Sequence, residues 1–208
     1  MIKNILWDAD GTLFDTYPAI TYAINRSLNA MGLTVAMNVV DSLVRQSLNH
    51  CVQGLAQRFK MEPDFLRRRF EESYNTISPV NQPPYPDVPA VCEYIYRLGG
   101  KNIILTHRGV QSTQVLLGVH NLSRLFHAIY SIEQGYPRKP DPTMVRAAIE
   151  EHSLTPDETI MVGDRMIDVQ AGKAAGIQSC LFGQVQPPGL VDYQFQDYEQ
   201  LLAYIKNK

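Results

Sequence analysis

Two aspartates flanking one small residue, Asp8-Ala9-Asp10, stand at the end of an apolar run and are followed by Gly11 and Thr12. Side chains alternate along an extended chain, so Asp8 and Asp10 point the same way while Ala9 points away. Like charges that close are costly unless a cation, a proton or a ligand compensates them. Gly11 permits a backbone turn that a side chain would obstruct, and Thr12 adds a hydroxyl and an amide beside the acids. Such a constellation suits a hard metal ion and a carboxylate nucleophile held against phosphorus. Asp-x-Asp-Gly alone is also a common turn composition. A calcium loop would continue with oxygen ligands and end in Glu, whereas here Thr12 is followed by Leu13 and Phe14, so that reading fails.

The elements that must position these acids follow from periodicity. Ile2, Ile5, Leu6 and Trp7 have the length and side-chain type of a strand buried on both faces. Tyr17, Ile20, Ile24, Leu28 and Met31 then recur at helical spacing, with Gly32 placed to stop the helix. Three further helices are expected around Val39, Leu43 and Val44, through Leu48, Val52, Leu55 and Phe59, and through Leu66, Phe70 and Tyr74. The proline-rich stretch from Pro79 to Pro86 ends this helical insertion. Beyond it, short apolar strands at 102–105, 128–132, 159–162 and 179–182 alternate with helices at 88–98, 110–117, 142–152, 168–175 and 198–206. That rhythm argues for an α/β fold with a parallel sheet wrapped by helices.

In an open parallel sheet, ligands bind outside the carboxyl ends of the strands, so the residues just after each strand carry the information. The second strand ends in Thr106-His107-Arg108-Gly109, the third leads to Arg138-Lys139-Pro140, and the fourth ends in Gly163-Asp164 with Asp168 beyond. Each has a bland reading: Thr106 as a helix cap, Lys139 as a solvated loop lysine, Asp164 as a turn residue, Asp168 as the start of a helix. Jointly they gather four acids, a hydroxyl and a lysine at one edge. Acids suit magnesium; the hydroxyl and the lysine suit a phosphate.

With these motifs in place the chain resembles the haloacid dehalogenase superfamily, in the branch that includes phosphoglycolate phosphatases and β-phosphoglucomutases. Asp8 to Thr16 match its first motif, Thr106 its second, Lys139-Pro140 its third, and Gly163, Asp164 and Asp168 its fourth. The resemblance implies a Rossmann-like core at 1–15 and 85–208 and a mobile helical cap at 16–84, closing over the substrate. It implies a magnesium-dependent phosphatase acting on a small phosphorylated metabolite. Asp8 would be the nucleophile, Asp10 the acid and base, and Thr106 and Lys139 the phosphate-side groups. Asp8, the Asp10 backbone carbonyl and Asp164 would ligate Mg²⁺, with Asp168 behind them. Gly11, Thr12, His107 and Arg45 are weaker candidates for substrate contact. His107-Arg108 departs from the Asn or Gly that many relatives carry after the second-motif Thr, and Arg45 lacks the glycine that often follows the cap arginine. A phosphomutase shares the core chemistry, and a regulatory protein on this fold would have lost one of the acids or Lys139.

Bulk properties agree with a small-molecule partner. The 208 residues are 45% hydrophobic, enough for a core, and 19 basic against 21 acidic residues give a net charge of −2. No electrostatic footprint for nucleic acid or an anionic membrane arises from that balance. Cys51, Cys92 and Cys180 are odd in number and widely spaced, so neither a disulfide framework nor a zinc site is expected. With no membrane-length apolar stretch, the chain reads as cytoplasmic, a monomer or a homodimer.

Overall fold

Strand β1 (Asn4–Trp7) is buried at all four positions, which places it in the middle of a sheet. The computed structural model describes residues 1–208. Its sheet contains β1, β2 (Lys101–Thr106), β3 (Phe126–Ser131), β4 (Thr159–Gly163), β5 (Gln178–Phe182) and β6 (Tyr193–Phe195). The spatial order is β3-β2-β1-β4-β5-β6, and every pairing is parallel.

The register explains why these strands are apolar without interruption. Leu6 pairs with Ile103 and Met161, while Ile5 pairs with Asn102 and Ile160. Leu6, Ile103, Leu105 and Met161 form one face of the core with Met144, Val145 and Ala148. Ile5, Trp7, Ile104, Ile160 and Val162 form the other, with Val91, Ile95, Leu201 and Ile205. Helices cover both faces, so alternation of direction brings no alternation of polarity. Asn102, buried among these apolar side chains, has partners for both ends of its amide. Asn102 accepts from Trp7 Nε1 at 3.0 Å and donates to the carbonyls of Cys92 at 2.9 Å and Leu125 at 3.1 Å.

The helices of this unit are α5 (Val88–Arg97), α6 (Val110–Val119), α7 (Thr143–Glu151), α8 (Met166–Ala174) and α9 (Tyr198–Lys206). Each overlaps an element expected from periodicity. Strand β6 was not expected: three residues behind a Pro187-Pro188 turn are too short to show alternation. It forms only because Cys180, Leu181 and Phe182 of β5 offer an edge to pair with.

The chain divides into two compact units, Met1–Phe14 with Pro84–Lys208, and Asp15–Pro83. The second unit is all helix: α1 (Tyr17–Ala30), α2 (Met37–Gln46), α3 (Leu48–Phe59) and α4 (Pro63–Tyr74). Ile24, Leu28, Val40, Val52, Leu55, Leu66 and Phe70 close its own core. Ser47 starts α3 by accepting from the His50 amide at 2.9 Å. The three cysteines are buried and unpaired, and no helix is long and apolar enough to cross a membrane.

Candidate active site

Asp8 follows β1 directly, its amide donating to the Val162 carbonyl at 2.9 Å, so the sheet itself fixes where the carboxylate begins. The side chain is buried. Its Oδ1 accepts from Lys139 Nζ at 2.6 Å, whereas Oδ2 has no hydrogen-bond partner and lies 3.9 Å from Arg165 Nη2. Burial raises the Asp8 carboxyl to about 6 against the pull of Lys139, and Asp168 adds to the rise.

Lys139 comes from the loop between β3 and α7 and is fully enclosed. Its ammonium meets three acceptors, Asp8 at 2.6 Å, Asp168 Oδ1 at 2.6 Å and the Leu105 carbonyl at 2.8 Å, which matches its three donors. Burial alone would lower its pKa, but Asp168 and Asp8 leave it above the ordinary lysine value. A solvated loop lysine is therefore ruled out. His107 holds the same residue from behind: its Nε2 accepts from the Lys139 amide at 2.9 Å. Burial, with Lys139 close by, pushes the imidazole down to about 3, so it stays neutral and serves as an acceptor.

Asp164 and Asp168 arrive from the end of β4. Gly163 is required there, because a Cβ would sit 2.3 Å from the Asp168 Cβ. Asp168 divides its two oxygens: Oδ1 faces Lys139, and Oδ2 accepts from the Arg165 amide at 3.2 Å at the start of α8. Asp168 therefore both caps the start of α8 and faces the buried lysine. Asp164 accepts from Thr12 Oγ1 at 3.3 Å, and its carbonyl accepts from Gln184 Nε2 at 2.5 Å. One ligand oxygen from each of Asp8, Asp164 and Asp168 lies within 4.8 Å of the others. Asp168 thus belongs to the same carboxylate cluster as Asp164.

The remaining candidates of the α/β unit lie on β2 and in the turn after β1, whereas Arg45 lies in the helical unit. Thr106 is buried and its hydroxyl accepts from the Arg108 amide at 3.0 Å. Gly11 adopts φ +81°, and its amide donates to the Phe14 carbonyl at 2.9 Å, closing the turn after Asp10. Thr12 is buried, and its carbonyl accepts from the Tyr198 hydroxyl at 2.5 Å. Asp10 Oδ1 accepts from Arg108 Nε at 3.0 Å and Nη2 at 2.8 Å. Arg45 belongs to the helical unit, where it pairs with Asp41 at 2.7 Å and lies 4.7 Å over the Tyr17 ring. Sequence reasoning passed over Arg108, Arg165, Gln184 and Tyr198. For Arg108 a signal existed, since it stands two residues past Thr106 as Asp10 stands two past Asp8.

The cluster is short of positive charge. Three buried carboxylates face one ammonium in contact and one guanidinium at 3.9 Å, and a phosphate dianion would deepen the deficit. An all-oxygen donor set with one buried, unpartnered carboxylate oxygen fits a hard divalent cation.

The family model of haloacid dehalogenase-like hydrolases matches residues 5–182. The chain belongs to that family. Among curated relatives, phosphoglycolate phosphatase of Nitrosospira multiformis is 30% identical, over 84% of this chain and 80% of its own length. The enzyme of the same name from Aliivibrio fischeri is 28% identical, over 86% and 82%. Among solved structures, a Haemophilus somnus protein described as a predicted phosphoglycolate phosphatase has a TM-score of 0.82 at 21% identity, covering 98% of this chain and 97% of its own. A Deinococcus radiodurans hydrolase of the family, solved with phosphate and sodium, has a TM-score of 0.80 at 19% identity, covering 99% and 96%. As a family hydrolase, this chain is an enzyme built on the Rossmann-like α/β core described above.

Proposed function

We propose that the enzyme is a magnesium-dependent phosphatase that removes the phosphoryl group of a small metabolite, phosphoglycolate-like or a sugar phosphate. The observation that carries this reading is the Asp8 carboxylate, enclosed, with one oxygen held by Lys139 and the other without a hydrogen bond. Asp8 attacks phosphorus and takes the phosphoryl group as an aspartyl-phosphate. Lys139 orients the nucleophile and offsets the charge that arrives with the ester. Asp10 protonates the leaving oxygen, then accepts a proton from the water that frees Asp8. Thr106 binds a phosphate oxygen through its hydroxyl. Asp8, Asp164 and the Asp10 carbonyl would hold the magnesium ion, with Asp168 supporting them. When bound, the ion supplies positive charge that neutralises the phosphate oxygens. The curated relatives named phosphoglycolate phosphatase support this class of ester, and the helical unit is where we place the choice among such esters.

Phosphate release from a panel of phosphorylated metabolites, with and without EDTA, tests the reading. Metal-dependent release by wild type and none by Asp8→Asn is expected. Unchanged turnover in the variant would remove Asp8 from its role. A phosphomutase would yield isomerised sugar phosphate, whereas free phosphate is expected here.

A further inference from the structure

The Asp10–Arg108 pair is built with more care than a surface ion pair needs. Two guanidinium nitrogens converge on one atom, Asp10 Oδ1, at 3.0 and 2.8 Å. The arginine is anchored along its whole length. Its side chain is only 8% exposed, while the Asp10 side chain is 26% exposed. Its amide donates to Thr106 Oγ1 at 3.0 Å, its carbonyl accepts from Ser131 Oγ at 2.8 Å, and Nη1 reaches Ser112 Oγ at 3.5 Å. A cation held at the end of β2 therefore fixes one oxygen of a carboxylate from the β1 turn.

We propose that Arg108 is a positioning residue for Asp10, aligning its carboxylate on the water that hydrolyses the phosphorylated Asp8. The inference rests on the phosphatase reading above. In that step the water oxygen bonds to phosphorus and the bond from phosphorus to Asp8 breaks. Its electron pair returns to the Asp8 carboxylate, and the proton of the water passes to Asp10. A guanidinium seated on one carboxylate oxygen fixes the side chain and removes the search for the productive rotamer. The burden falls on this second half of the reaction, because a leaving group that departs as a stable anion needs no proton from Asp10.

Rapid-quench kinetics on p-nitrophenyl phosphate separate the two halves. In Arg108→Met, first-turnover release of nitrophenol stays close to wild type. Steady-state turnover falls about 10- to 100-fold, part of what a general base contributes. Acid-quenched intact mass then shows enzyme carrying one phosphoryl group accumulating, and Arg108→Lys recovers part of the loss. The double variant Asp10→Asn/Arg108→Met is no slower than Asp10→Asn, because the arginine acts through the aspartate. Equal loss in both phases without phosphorylated enzyme, or full turnover in Arg108→Met, would overturn the proposal. Asp10→Asn is the control for the reading beneath it. If that variant accumulates phosphorylated enzyme while Arg108→Met does not, only the role of Arg108 falls. If Asp10→Asn turns over normally, the assignment of Asp10 falls and the proposal with it.

Discussion

Replacing Lys139 by Met keeps the length of the side chain and deletes its charge at the point where the site is most tightly balanced. The ammonium satisfies Asp8, Asp168 and the Leu105 carbonyl at 2.6, 2.6 and 2.8 Å, and the lysine side chain is fully enclosed. Removing one member of a buried ionic set typically costs about 3–5 kcal/mol, because the partners remain buried and uncompensated. The loss depends on pH in a direction that can be worked out. Asp8 already titrates near 6 instead of 3.8, with burial raising it and Lys139 restraining it. Without the lysine the carboxyl rises further. A carboxyl raised on folding binds more protons in the native state, so its contribution falls as pH rises through the folded pKa. The gap between wild type and Lys139→Met should therefore be widest near pH 8 and narrow towards pH 5, each tenfold change in the acidity of Asp8 being worth about 1.4 kcal/mol. Urea unfolding in EDTA at both pH values measures it, and a double-mutant cycle with Asp168→Asn isolates the pair. A deficit below about 1 kcal/mol, the scale of an exposed ion pair, or one that does not change with pH, would refute the charge balance drawn here.

Other outcomes follow from the same geometry. His107 titrates near 3 instead of 6.5, so the unfolded chain takes up a proton first. Wild type should then lose stability relative to His107→Gln as pH falls below 6.5, by up to about 1.4 kcal/mol for each pH unit; parallel stability profiles would exclude it. Because Asp8 slopes the opposite way between 3.8 and about 6, the comparison must be made against the variant. Gly163→Ala should cost about 1–3 kcal/mol by pushing Asp168 aside, with weaker magnesium binding by calorimetry, and an unchanged melting temperature would count against the close approach. Tyr198→Phe should cost about 1 kcal/mol in denaturant by leaving the Thr12 carbonyl unpaired. Magnesium at about a hundredfold excess over its Kd should stabilise wild type by about 2.7 kcal/mol; Asp8→Asn should show much less, and an equal gain in both would place the ion elsewhere.

Local pattern alone determined a large part of this protein. The run Ile5-Leu6-Trp7 ending at Asp8 announces a strand buried on both faces with an acid at its carboxyl end, because that alternation and burial are properties of neighbouring residues. The same holds for the helices carrying Leu28, Leu55 and Phe70, and for the placement of Thr106 at the end of β2, Asp164 just past β4 and Lys139 in the loop after β3. What needed the tertiary structure is of another kind. Arg108 reaches Asp10 across 98 positions and Tyr198 reaches Thr12 across 186, and no periodicity in the chain encodes which side chain will meet which. Lys139 looks solvated in its Pro-flanked loop, yet packing turns it into the enclosed counter-ion of two acids. Strand β6 exists only because β5 presents an edge. Secondary structure and the ends of strands follow from short-range sterics and burial, whereas the pairing of charges is settled once the chain has chosen which surfaces to remove from water.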